Sequence, residues 1–190
     1  GPLSQGSHTF LVKAQDAAGH QSNPASFTWT IDTTVPPTPV ITVNPVDPTN
    51  QTSASFSFSD TEGGVSFLCQ LDGGGFSACS SPQSYPGPLN QGSHTFSVKA
   101  QDAAGNQSGA ATFTWTIDTT APPTPGITAN PVNPTNQTGA SFSFSDTEAG
   151  LSFFCQLDGG GFSACSSPTT YSSLSEGSHT FSVKAQDTAG

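Results

Sequence analysis

Ala54-Ser55-Phe56-Ser57-Phe58-Ser59 decides the architecture. Its alternation puts Ala54, Phe56 and Phe58 on one face and the serines on the other, the period-two signature of a half-buried strand. The same period recurs in Phe96-Ser97-Val98-Lys99-Ala100-Gln101 and in Thr112-Phe113-Thr114-Trp115-Thr116-Ile117. No stretch carries a helical period of useful length, and Gly, Pro, Asn and Asp punctuate the alternating runs. Short strands spaced in this way predict an all-β chain of antiparallel sandwiches, with about seven strands in each module. Trp29 and Trp115 alternate with outward Thr, so both are expected in a core rather than on a sugar-binding platform.

Outward from these strands the chain repeats itself. Trp29 recurs as Trp115, Asp60 as Asp146 and Cys69 as Cys155, each 86 positions on. Self-similarity at a fixed period means tandem modules. The phase predicts residues 1–33 as the C-terminal strands of one repeat, 34–119 as a complete repeat, and 120–190 as a third lacking its last strand. The chain thus reads as a piece of a longer array. Asp32-Thr33-Thr34-Val35-Pro36-Pro37-Thr38-Pro39 and Asp118-Thr119-Thr120-Ala121-Pro122-Pro123-Thr124-Pro125 are the linkers. Proline at this density favours an extended, semi-rigid chain. The open edge of the third repeat also invites a strand such as Ser26–Ile31 from another copy, although a longer native chain explains it more simply.

Composition removes several function classes. Thirteen acidic residues against three Lys give a formal net charge of −10, and only 8% of residues are charged, where about 25% is usual. No basic stripe exists to neutralise phosphates, so nucleic acid is not expected as a partner. No apolar run approaches the roughly 20 residues of a membrane-spanning helix. Fourteen Phe and two Trp are nonetheless too many for a disordered tail.

Phe67-x-Cys69-x-Leu71-Asp72-Gly73-Gly74, Cys79-x-Ser81-Pro82, Gly92-x-His94-Thr95-Phe96, Asp102-x-Ala104-Gly105-Asn106 and Asp118-Thr119-Thr120 together resemble the immunoglobulin-like tandem repeats of large extracellular and cell-surface proteins abundant in bacteria. The resemblance covers nearly the whole chain and implies fold and compartment. On function it is broad, since stalks, adhesins and surface fibres all use such modules. His20 departs from the pattern, standing where Asn106 stands in the next repeat.

The four cysteines form two Cys-x9-Cys pairs, Cys69 with Cys79 and Cys155 with Cys165, each over an Asp-Gly-Gly-Gly turn. With Gly74 as the apex of a three-residue loop, Cys69 falls opposite Cys79, within disulfide reach. Zinc is the rival, but the spacing lacks the close Cys pairs or His partners of a tetrahedral site. Disulfides predict an oxidising, extracellular or cell-surface location. Asn50, Asn106 and Asn136 each open an Asn-x-Ser/Thr sequon and are candidate glycan acceptors.

No cofactor is required by these motifs, but calcium at the joints is an expectation. The usual immunoglobulin-like order would bring Asp32 to Asp60, Glu62 and Asp102, and Asp118 to Asp146, Glu148 and Asp187, four acids at each joint. Similar repeats in bacterial adhesins carry calcium there, which the resemblance extends to this chain. Against it, Asp at such places commonly caps its own turn. His8, His94 and His179 repeat at one strand start, but no Gly-x-Ser-x-Gly turn accompanies them, so no catalysis is expected. The sequence predicts a structural extracellular repeat protein, a filament or stalk, whose partners are other copies or neighbouring repeats. The alternative is the spacer of an adhesin whose binding domain lies elsewhere.

Overall fold

Strands form where the alternation places them. The computed structural model describes residues 1–190, and every regular element in it is a strand. The strands are β1 (Gly6–Val12), β2 (Ala25–Ile31), β3 (Val40–Val43), β4 (Ala54–Ser59), β5 (Ser66–Leu71), β6 (Ser77–Cys79), β7 (Gln83–Tyr85) and β8 (Gly92–Gln101). They continue with β9 (Ala111–Ile117), β10 (Gly126–Ala129), β11 (Ala140–Ser145), β12 (Ser152–Leu157), β13 (Ser163–Cys165), β14 (Thr169–Tyr171) and β15 (Phe181–Gln186). Residues 34–119 thus hold seven strands, β3 to β9. In β4, Ala54, Phe56 and Phe58 are buried while Ser55 and Ser59 face solvent.

The chain gathers into two compact units. The first comprises Gly1–Asn44, Ser55–Tyr85 and His94–Thr114; the second comprises Pro45–Ala54, Pro86–Ser93 and Trp115–Gly190. Their boundary runs through residues 34–119 rather than along a linker.

In the first unit, β1 and β2 pair antiparallel, with His8 opposite Trp29 and Phe10 opposite Phe27. Phe10 and Phe27 are exposed. Two sheets run through this unit, in the orders β3-β4-β7 and β6-β5-β8-β9. Aromatic rings join them: Phe56 of β4 stacks on Phe96 of β8 with centroids 4.1 Å apart, and Phe58 meets Phe67 of β5 edge-on at 5.0 Å. Such geometries add to the free energy of burial. The few large core residues therefore do the work that many aliphatic ones do in thicker domains. On the outer faces hydroxyls pair across strands, Thr9 with Thr28 at 2.9 Å, Thr95 with Thr114 at 3.0 Å and Ser55 with Ser84 at 3.1 Å.

The second unit repeats the plan with sheets β10-β11-β14 and β13-β12-β15. Phe142 stacks on Phe181 at 4.2 Å and Phe144 meets Phe153 edge-on at 5.2 Å, so the core geometry recurs with the sequence. Trp115 and Ile117 of β9 are fully buried, as their alternation predicts. Thr49 bridges Ile117 in parallel, with Thr49 N donating to Thr116 O and Asp118 N to Thr49 O. Asp47 accepts the Thr116 amide, which fastens the end of β9.

The hairpin that carries the cysteines differs in detail from the expected three-residue loop. Asp72 (φ 51°) and Gly73 (φ 73°) are both left-handed, and Gly74 N donates to Leu71 O at 3.0 Å. This is a two-residue turn of the primed kind, which Asp-Gly favours because positive φ is needed at both centres. Cys69 then lies opposite Ser77 and Cys79 opposite Phe67. Between the turn and that register the returning strand carries one extra residue, a bulge within Gly74–Phe76. The cysteines are diagonal neighbours rather than directly opposed. Asp158 (φ 52°), Gly159 (φ 73°) and the Phe153–Cys165 register repeat the arrangement.

Candidate functional site: the turns and linkers at the module ends

A turn held by one carboxylate follows β1, β8 and β15. Asp102 Oδ1 accepts the Asn106 backbone amide at 2.9 Å, and its Oδ2 accepts the Asn106 side-chain amide at 2.8 Å. Gly105, at φ 93°, closes the loop by donating to Asp102 O. The Asn106 side chain is the largest influence holding the Asp102 carboxyl below its ordinary pKa, with backbone amides adding to it. In the first repeat His20 takes the Asn106 place and contacts Asp16 Oδ2 through Nδ1 at 3.0 Å. The Asp16 carboxyl is lowered chiefly by the His20 backbone amide, then by the His20 ring. In the third repeat Asp187 Oδ1 accepts from Ala189 N and Gly190 N, both at 2.9 Å.

The turn reaches a linker. Asn106 Nδ2 donates to Asp32 O at 3.0 Å, while the Asp32 carboxylate caps its own chain by accepting from Thr34 N at 2.9 Å. The next two residues are gripped by a glutamine: Thr33 Oγ1 donates to Gln5 Oε1 at 2.9 Å, and Gln5 Nε2 donates to Thr34 Oγ1 at 2.7 Å. The second linker copies the first. Asp118 caps Thr120 N, Thr119 donates to Gln91 Oε1 at 2.9 Å, and Gln91 Nε2 donates to Thr120 Oγ1 at 2.7 Å. Beside this linker, Asn50 N donates to Ala189 O at 3.0 Å and Asn50 Nδ2 to Gly190 O at 2.6 Å. A cavity of about 360 Å³ lies there, with Asn50, Asp118, Lys184, Asp187 and Gly190 in its wall.

The acids expected to converge on calcium do not gather as fours. Asp118 and Asp187 line that one cavity, and Asp60 and Glu62 line another of about 270 Å³ with Phe58 and Phe67. No three His, Cys, Asp or Glu side chains come close enough together to hold one ion. The physical reason is local capping. Asp60 Oδ1 accepts from Glu62 N at 2.9 Å and Asp146 Oδ1 from Glu148 N at 3.1 Å, as Asp32, Asp102, Asp118 and Asp187 do in their own turns. The Oδ2 atoms of Asp60 and Asp146 are buried without a hydrogen-bond partner.

Two further side-chain sets repeat. Cys69–Cys79 and Cys155–Cys165 are disulfides, each with Cα atoms 5.8 Å apart. Beside them, His94 Nδ1 meets Asp72 Oδ2 at 2.7 Å and Thr95 N donates to Asp72 Oδ1 at 2.8 Å. His179 does the same with Asp158 at 2.7 Å, and its Nε2 meets Ser175 O at 2.9 Å. The Ser175 carbonyl and then Asp158 raise the His179 pKa, and the His179 ring is the first cause lowering Asp158. These pairs brace the start of a strand against the hairpin turn. Lys99 lies 4.6 Å from the Phe76 ring centre and Lys184 4.8 Å from that of Phe162.

Residues 44–119 match the family model of the bacterial Ig-like domain. The match spans β4 to β9. Among solved structures the chain is similar to the FN1-FN3 domains of chicken CNTN1, at 14% identity, TM-score 0.46, with 97% of this chain and 71% of that one covered. It is similar to the central fibronectin-III array of RIM-binding protein at 15% identity and TM-score 0.32, covering 78% and 63%. It is also similar to a 1.5-MDa bacterial ice-binding adhesin at 18% identity and TM-score 0.36, covering 98% and 65%. Comparison with curated proteins found no match.

Sequence reading missed the glutamine grip and the role of Asn106. Both left a signal: Gln5 and Gln91 stand at one place in successive repeats, as do the two Asp-Thr-Thr segments. The third repeat has Glu176 at the glutamine place. The chain engages two of its three candidate glycan acceptors, Asn50 and Asn106, in hydrogen bonds through the nitrogen a sugar would occupy. Asn136 Oδ1 accepts from Gln137 Nε2 at 2.9 Å.

Proposed function

We infer that this chain is a structural repeat region of an extracellular or cell-surface protein, a stalk or filament segment that spaces and bears load rather than turning over a substrate. The observation that carries the reading is the exact recurrence of the linker grip, Gln5 on Thr33 and Thr34 and then Gln91 on Thr119 and Thr120, with equal distances. A device that ties each module to its outgoing linker, built twice, suits a chain that is pulled from its ends. Two disulfides support an oxidising compartment, and the paired hydroxyls supply a neutral outer coat.

Single-molecule stretching of the chain tests this. Unfolding is expected in discrete steps, and reduction should lengthen each step of a disulfide-pinned module by the 10-residue separation of its cysteines, about 35 Å of extended chain. A smooth extension with no steps at any load would overturn the load-bearing reading.

A further inference from the structure

We propose that the Asp102–Asn106 turn and the Asn50 loop are the two halves of one module-to-module docking surface, whose partner is the neighbouring repeat of the same kind. At the first linker the turn supplies the donor: of the two N–H groups of Asn106 Nδ2, one goes to Asp102 Oδ2 and the other to Asp32 O. That uses the full donor capacity of the amide. At the second linker the turn supplies the acceptors: Ala189 O and Gly190 O take the backbone and side-chain N–H groups of Asn50. Gly190 is the repeat counterpart of Gly105, and Asp118 that of Asp32.

The two junctions are therefore equivalent positions seen from complementary sides. Asp118 and the Asp187–Gly190 turn line one cavity, which places linker and turn side by side at the second junction as Asp32 and Asn106 are at the first. A complete junction combines the two: the turn's Asn donates to the carbonyl of the incoming linker Asp, and the loop Asn of the preceding module donates into the carbonyls of that turn. The carboxylate of Asp102 acts as a positioning group, aiming the amide and leaving one hydrogen for the neighbour. The same geometry assigns the Asn50 and Asn106 sequons to docking. At Asn106 a sugar on Nδ2 leaves one hydrogen for two acceptors.

This inference deepens the structural-repeat reading, but its test reads docking rather than load. The full chain and its Asn106→Ala and Asn50→Ala variants would be compared by small-angle scattering, residue-resolved amide exchange and thermal melting. Retained melts are expected, with a broadened distance distribution in each variant. The residue 50 amide should exchange about fivefold faster in Asn50→Ala, the ratio carried by one ordinary hydrogen bond. Asn106→Ala also removes a contact inside its own turn. If that variant loses its melt, Asn50→Ala decides alone, since its side chain is exposed and bonds only Gly190 and Gln51. Unchanged scattering and unchanged residue 50 exchange in Asn50→Ala would overturn the proposal, whatever the stretching experiment returns.

Discussion

His179 meets an acceptor at each ring nitrogen, the Asp158 carboxylate and the Ser175 carbonyl. A neutral imidazole has one N–H, so only the protonated ring satisfies both. Its pKa is raised above 6.5 and that of Asp158 is lowered below 3.8. The histidine contribution to stability is complete below 6.5 and is lost as pH rises through the raised value. The Asp158 contribution is present above 3.8 and is lost as pH falls through the lowered value. The melting midpoint is therefore expected to be highest between about 4 and 6.5 and to decline on the alkaline side. In His179→Gln that alkaline decline should be shallower; an identical decline would show that His179 is not its source. The repetition of the histidine was plain in the sequence. Its partner was not, because Asp158 lies 21 residues away and had read only as part of a glycine-rich turn.

At the scale of the element, the strands were legible because a period of two leaves little freedom: Phe56 and Phe58 can be buried together only if Ser55 and Ser57 point away. The turn between β5 and β6 was less so. Asp72-Gly73 and Gly73-Gly74 are both acceptable hairpin centres, and only backbone hydrogen bonding decides between them. The disulfide survives either choice: directly opposed cysteines lie within reach, and in the observed register the two Cα atoms are still only 5.8 Å apart. Replacing Cys69 and Cys79 together by Ala should destabilise the complete module by about 3 kcal/mol. Urea unfolding should show this loss while the unfolding of the Cys155–Cys165 module keeps its midpoint. A loss well under 1 kcal/mol would mean that the aromatic stack of Phe56 on Phe96 holds the hairpin without the bridge.

Across the whole molecule the chain carries a net charge of −10, and its only close ion pairs join His to Asp. Lys99 and Lys184 lie over aromatic rings. Added salt has few attractive pairs to screen and much repulsion to relieve. The melting midpoint in 0.5 M sodium chloride should not fall below that in 0.05 M, and a clear fall would point to attractive pairs between exposed charges. At this scale sequence reading was weakest. The acids at the module ends were correctly seen as repeating, yet each carboxylate satisfies backbone amides within two to four residues. Local closure of that kind was the rival reading of these acids; what spacing did not show is the amide of Asn106 reaching across to Asp32.

The turn Asp72–Gly75 is exposed on every residue and sits between the two halves of a covalent bridge from Cys69 to Cys79. Exposed glycine-rich loop tips are where proteases cut. A cut there leaves both ends joined through sulfur, so the polymer stays in one piece. The most vulnerable point of the hairpin is thus also one where breakage does not shorten the chain.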